Sequence, residues 1–580
     1  MSERPAGSSS SRLVLAGLLV VFLFALWLRL TGLDWMLPYI PEPDILPPMQ
    51  LEAIEQHVPP DERLEYLRRY PYLVADLAYL VPAAEMPATD DLQEHLHAAN
   101  SLILRVRWVN AVLSACLVLL TFRLARRFAS PSTALLAAAF VATSLLHLLF
   151  SQQARPHGIH ATLAAVAMLA ALRLREKPGW GIYIGAGLAC GLAFASLQSG
   201  IATLLPLAAA HVLRDRTKGK APFWRIAVSF AIVAALAYAF YPAHGKVRPE
   251  EVGHEFRLDL EAGGIRHRSH LIRFADLHGY GFVLVVRFLY EHDPALLALS
   301  ALGLVIALPT LARRVKDKDL LVVLAYVIPY LCACGIFSKT YERFLVPLLP
   351  YLALLSAAAV TACAGWIARA APSVPARRAT LAALACAALA FPTYAALKFA
   401  SVRDAPDTVE QATRWIRENV HPEEGNIVVP PILTLPLFHD PALLQPGVPP
   451  YLFGSWVMYQ LKLLPSTTRG PVYRLINIPP PLAVKIPEEN PGLAEKMVEE
   501  WQPAYAVLEI SRRVRVMKMM GPIYDALRAR GERVFVASSE PEEDPLFRPL
   551  AHQDMPRMVQ RLLGVECFGP RVEIWKLRRE

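Results

Sequence analysis

Apolar residues run in eleven blocks along the chain, near 12–30, 106–122, 132–150, 159–174, 180–198, 200–213, 222–241, 294–312, 319–337, 343–366 and 379–397. A helix needs roughly 17 to 25 such residues to cross a bilayer, and most blocks meet that length. The pattern predicts a polytopic α-helical membrane protein of about eleven transmembrane helices. Residues 1–399 hold the blocks; residues 400–580 alternate short apolar strands with amphipathic helices, as in DTVEQATRWIRENV, NIVV, AYAVLEI, PIYDALRARG, RVFVAS and RVEIWKL. That alternation predicts a small C-terminal α/β domain.

Polar residues between the blocks sort by sign. Alternating the block ends puts on one side Arg123, Arg126 and Arg127, then Arg173, Arg175 and Lys177, Arg214 and Arg216, Arg313 and Arg314, and Arg377 and Arg378. Short loops rich in positive charge mark the cytoplasmic side. The opposite side receives two long loops, 31–104 and 242–292, and the C-terminal region. The first carries thirteen acidic residues against Arg63, Arg68 and Arg69, and DERLEYLRRYPYLVADLAYLVP within it reads as short helices lying on the membrane. The expected location is therefore a multi-pass cell membrane, with the N-terminus cytoplasmic and the C-terminal domain extracytoplasmic. The first block follows a basic start but is long enough to span, and it reads as a retained helix.

Composition agrees with this picture. Over 580 residues, 54% are hydrophobic and 19% charged, with a mean hydropathy of +0.34. The net charge of +9 sits in short interhelical clusters, which speaks for membrane orientation and against a nucleic-acid partner. The cysteines lie mostly in apolar blocks and suggest neither disulfides nor zinc.

Candidate chemistry collects on the acidic, extracytoplasmic side. After the first block, GLDWMLPYIPEPDI presents Asp34, Glu42 and Asp44 among prolines that stiffen the backbone, where a carboxylate can act as a general base. SQQARPHGIH places Arg155, His157 and His160 in a turn entering the next helix. Arg105, Arg107, Lys339 and Arg343 break the charge rule by lying on this side. With Arg257, Arg266, His267, Arg268, His270 and Arg273 of the second loop, they form a set suited to an anionic ligand such as phosphate. Asp44 and His157 are also two possible ligands for a divalent metal, too few to define a geometry.

These pieces, in this order, resemble the GT-C superfamily, especially the family 39 transferases related to protein O-mannosyltransferases and to the aminoarabinose transferase of lipid A modification. The resemblance rests on GLDWMLPYIPEPDI, YPYLVADLAYL, RWVNAVLSACLVLLTFRLARRF, SQQARPHGIHATLAAVAMLAALRL, YERFLVPLLPYLALL and DTVEQATRWIREN. It implies an inverting transferase that takes a sugar from a polyprenyl-phosphate donor and passes it to an extracytoplasmic lipid, glycan or protein acceptor. The matching position makes Asp44 the base, with Glu42 and His157 beside it, and it places Arg155 and Arg343 near the leaving phosphate. The chain departs from the family pattern at Ile45 and His157, where acids are usual. The alternatives are a non-catalytic relative that binds polyprenyl lipid, and a lipid or sugar transporter or flippase.

Overall fold

The structure is a computed structural model; it describes residues 8–39, 45–59, 62, 70–89, 91–214, 223–241, 256–259, 263–267, 270–313, 317–370, 373–430, 433–443, 454–463, 471–478, 492–510, 514–539 and 558–578. Helix α1 (Ser8–Leu30) is followed by three short helices in the first loop, α2 (Leu46–Glu55), α3 (Leu73–Tyr79) and α4 (Leu92–Ala99). The next apolar blocks become α5 (Ser101–Ala125), the pair α6 (Pro131–Thr143) and α7 (Leu145–Ser151), α8 (His157–Glu176) and α9 (Trp180–Ser196). After a 3-10 turn at Gln198–Thr203 come α10 (Leu204–Leu213) and α11 (Trp224–Phe240).

Among the described residues, six helical stretches are long and apolar enough to cross a membrane: Arg12–Leu30, Ser101–Ala125, His157–Glu176, Lys318–Ile336, Glu342–Ile367 and Val374–Asn419. The pair α6 and α7, bent by 56°, makes a seventh if it is one span, and four shorter apolar helices occupy the remaining blocks. Leu13, Leu15 and Val20 of α1 are exposed, as lipid-facing side chains must be. A chain built this way crosses a membrane several times.

The second loop differs from expectation. Its arginine-rich and histidine-rich part is an antiparallel meander of β1 (Phe256–Asp259), β2 (Gly264–His267) and β3 (His270–Arg273). Its last part, expected as loop, is helix α12 (Tyr280–His292). This helix buries Leu284, Val285, Phe288 and Leu289 while exposing Phe282, Val283 and Val286. Apolar on two faces but too short to span, it carries no strong sequence signal. Helices α13 (Pro294–Arg313) and α14 (Lys318–Ile336) follow, then a 3-10 helix at Glu342–Leu348, α15 (Leu349–Ile367) and α16 (Val374–Asp404).

The C-terminal region opens with α17 (Thr408–Asn419), which buries Val409, Ala412, Thr413 and Ile416 at the three-and-four spacing of one helix face. Strands β4 (Asn426–Val429), β5 (Phe438–His439), β6 (Val472–Tyr473) and β7 (Leu475–Asn477) surround α18 (Gly454–Leu463). Then come α19 (Gly492–Trp501), β8 (Pro503–Ile510), α20 (Val514–Ala529), β9 (Gly531–Ala537), α21 (Met558–Gly564) and β10 (Arg571–Leu577). The main sheet has order β7-β4-β8-β10-β9, with β4 parallel to β7 and β8, and β10 antiparallel to both neighbours.

Alternation along the strands divides the burial. Val428, Ala506 and Leu508 pack with Val498 and Leu527 in a core of their own, while Ile427, Val429, Tyr505 and Val507 join α17 in the large core that continues into the membrane helices. The first loop also leans on this region. His95 of α4 hydrogen-bonds the Tyr459 hydroxyl of α18 at 2.7 Å, and Tyr39 donates to Glu509 of β8 at 3.2 Å.

Candidate functional site

The helix ends that meet the first loop, called here the loop end, hold a network of buried polar groups. Its centre is the break between α6 and α7. At Ser144 the backbone turns extended, which strands the last carbonyls of α6 and the first N–H groups of α7 in an apolar surrounding. Arg29, fully buried at the end of α1, donates to Val141 O (3.2 Å) and Ala142 O (3.3 Å) and contacts His147 Nδ1. Asp293, between α12 and α13, accepts from Leu145 N (2.8 Å), Leu146 N (3.2 Å) and the Ser144 hydroxyl (2.7 Å). A cation thus closes the carbonyl end of one helix and a carboxylate the amide end of the next, each matching the local dipole.

Short helix α7 leads into the turn that the sequence singles out. Gln152 Nε2 donates to the carbonyls of Leu28, Arg29 and Thr31, closing the end of α1. Asn110 of α5 donates to Phe150 O and Gln153 O and accepts from Ile159 N. At Gly158 a Cβ would lie 2.2 Å from Ser114 Oγ, so only glycine lets α8 start this close to α5. In this fixed turn Arg155 and His157 are buried, with the His157 ring 5.7 Å from that of Phe150. His160, one turn on, bonds Ala193 O, Ser196 and Ser199, which makes it a satisfied link between α8 and the end of α9. The 3-10 helix carrying Arg343 packs on α7 and α8, and its guanidinium lies 4.2 Å from the Tyr341 ring. The structure therefore brings Arg155, His157, His160 and Arg343 to one end of the bundle.

Other expected residues are engaged elsewhere. Arg105 pairs with Glu55 of α2. Arg107 donates to Leu33 O (2.6 Å) and Trp35 O (3.0 Å) and lies 5.2 Å from the Trp35 ring. Both fasten the first loop to α5. Lys339 reaches Asp276 at 2.9 Å near the rim. Asp44, Glu42 and Arg268 lie outside the described residues; for Arg257, Arg266, His267 and His270 only the strand backbone is described, with Arg257 paired to Arg266 and His267 to His270. Among the described residues no three His, Cys, Asp or Glu side chains gather as a metal site.

A cavity of about 460 Å³ opens between the first loop and the C-terminal region. Its wall is the stretch Asp34–Leu37, held from beneath by Arg107 and from the side by Arg403, whose guanidinium lies 4.2 Å from the Trp35 ring. Gly32, at φ +61°, lets the chain pass the Arg403 backbone, which a Cβ would meet at 2.9 Å. On the far side Asp407, beyond the apolar run 379–397, caps α17 by accepting from Val409 N and Glu410 N, both at 2.8 Å, and it also takes a backbone bond from Met36. Burial pushes its carboxyl up to about 7 despite those donors. Arg29, Asn110, Gln152, Asp293, Arg403 and Asp407 are absent from the sequence-based site. Arg29 and Asn110 did carry a signal, as lone polar residues in or at the edge of apolar blocks.

Residues 97–240 match the family model described as dolichyl-phosphate-mannose-protein mannosyltransferase. No curated protein matches the chain. Among solved structures, it is similar to the archaeal oligosaccharyltransferase AglB from Archaeoglobus fulgidus, at 14% identity and a TM-score of 0.48 over 91% of this chain and 73% of that one. It is similar to ArnT from Cupriavidus metallidurans at 11% identity and 0.45, over 89% and 95%. For the arabinofuranosyltransferase AftD from Mycobacteria the values are 16% and 0.39, over 100% and 41%. The family match covers α5, the α6–α7 break and the Arg155 turn, so over residues 97–240 the chain is similar to that mannosyltransferase family.

Proposed function

We propose that this protein moves a sugar from a polyprenyl-phosphate donor to an acceptor outside the cytoplasm, with inversion at the anomeric carbon. The observation that carries the reading is the mannosyltransferase match over residues 97–240, a stretch that contains the buried Arg155 and His157 turn. In this mechanism the acceptor hydroxyl attacks the anomeric carbon and Asp44 takes its proton. The bond from that carbon to the phosphate oxygen breaks, and polyprenyl phosphate leaves with the electron pair. Arg155 and Arg343 stabilise its negative charge, and Glu42 and His157 assist at the base. Residues 1–399 form the transmembrane part, with about eleven crossings and a cytoplasmic N-terminus; residues 400–580 form the extracytoplasmic part.

Transfer of labelled sugar from polyprenyl phosphate in membranes tests this, with wild type against Asp44→Asn. The expected loss is at least about 100-fold, the contribution of a general base. Equal activity in both sinks Asp44 as the base. No transfer from either, with the lipid still bound, favours the non-catalytic lipid binder that Ile45 and His157 suggest.

A further inference from the structure

The cavity between the first loop and α17 has a mixed polar lining that lies outside the proposed transfer mechanism. Its carboxyls are Asp34, Asp404, Asp407 and Glu410, and its guanidiniums are Arg403, Arg414 and Arg417. Gln93 and Asn100 of the α4 side add amides, and Leu96, Leu104 and Phe568 supply apolar surface. A pocket for phosphate or another polyanion would gather cations and keep carboxylates away, because each desolvated like charge opposes the ligand. A pocket for a cation would exclude three arginines. Interspersed carboxylates, guanidiniums and amides instead suit groups that donate and accept at once. Vicinal hydroxyls are such groups, an arginine giving to the oxygens and a carboxylate taking the protons.

We infer that this cavity binds an uncharged polyhydroxy ligand, a short neutral glycan, through Asp34, Gln93, Arg403, Asp404 and Arg417. The volume agrees, since ligand pockets run from roughly 300 to 1,000 Å³. One wall is also fixed, because the Trp35 ring is held between Arg107 and Arg403. Identifying the glycan as the acceptor deepens the proposed function and rests on it. The binding site itself does not.

The test uses the full chain in nanodiscs. Ligand-observed NMR is recorded with neutral tetrasaccharides of mannose, glucose, galactose, N-acetylglucosamine and arabinose, and with inorganic pyrophosphate as the anionic probe. At least one tetrasaccharide is expected to bind, without competition from pyrophosphate. Asp404→Asn and Arg417→Ala, both on exposed positions, are each expected to weaken it about tenfold at unchanged melting temperature. Binding by none of the tetrasaccharides overturns the inference, as does tighter binding of pyrophosphate or indifference to both substitutions. Transfer assays separate the two readings. A bound glycan that never accepts sugar leaves the site standing and removes its role as acceptor, whereas transfer that ignores both substitutions leaves the proposed function standing and removes the site from it.

Discussion

Arginines cluster at both ends of the helix bundle but do different work. At the end carrying the basic loops two of them meet carboxylates: Arg127 pairs with Glu176, and Arg175 with Asp319, tying α5, α8 and α14 together. These partners are partly exposed, at 25% for Arg127 and 31% for Glu176. At the loop end Arg105 also meets a carboxylate, that of Glu55, but Arg29, Arg107 and Arg403 meet carbonyls and rings. Arg29 serves the end of α6, Arg107 the carbonyls of Leu33 and Trp35, and Arg403 the face of Trp35. An ion pair between regular helices can exchange with water and salt. A buried cation holding irregular backbone has no substitute, so the loop end keeps a fixed shape where loops would otherwise wander.

Removing one residue from each end tests the contrast. The largest effect is expected for Asp293→Ala, which orphans two buried N–H groups and a hydroxyl at the head of α7. The cost is about 3 to 5 kcal/mol in detergent unfolding, and transfer activity falls with it. Arg107→Ala is next, at about 3 kcal/mol, because two charged hydrogen bonds to the first loop vanish together. Should either variant unfold like wild type, the fixed loop end is not held by these contacts.

A third variant sharpens the comparison by pH. Asp407 has a carboxyl raised from 3.8 to about 7. Its folded form therefore keeps a proton that the unfolded chain has already released. The stabilisation is complete below the unfolded value and is lost as pH rises through 7. Melting temperatures of wild type are expected to fall between about pH 4 and pH 7, and Asp407→Asn to flatten that slope. An unchanged slope assigns the pH dependence to another group. The smallest effect is expected at the basic end, where Arg127→Ala should cost under about 1 kcal/mol and shrink further in high salt. A cost matching that of Arg107→Ala would erase the distinction between the ends.

How legible each part was in the sequence follows from the kind of signal. Every apolar block falls on a helix, because long runs leave no alternative, and the strands NIVV, AYAVLEI, RVFVAS and RVEIWKL appear where their alternation put them. The turn holding Arg155 and His157 was visible as charge at a block boundary. Its supports were not. Asn110 acts across 40 residues and Gln152 across 124, and nothing local tells a polar residue that holds a carbonyl from one that faces water. Helix α12 was hidden because it is short and packs on helices outside its own segment, and the β1–β3 meander because each of its strands is only four residues long.

The break between α6 and α7 also bears on how the molecule is built. Arg29 leaves the ribosome early and Asp293 far later, yet the break has both its sides closed, the end of α6 and the head of α7, only when both are present. Until residue 293 has been inserted, the nascent chain carries a half-finished joint whose amides have no acceptor in hydrocarbon. A chain ending before Asp293 therefore leaves the head of α7 open, although Asn110 and Gln152, the supports of the Arg155 turn, are already in place.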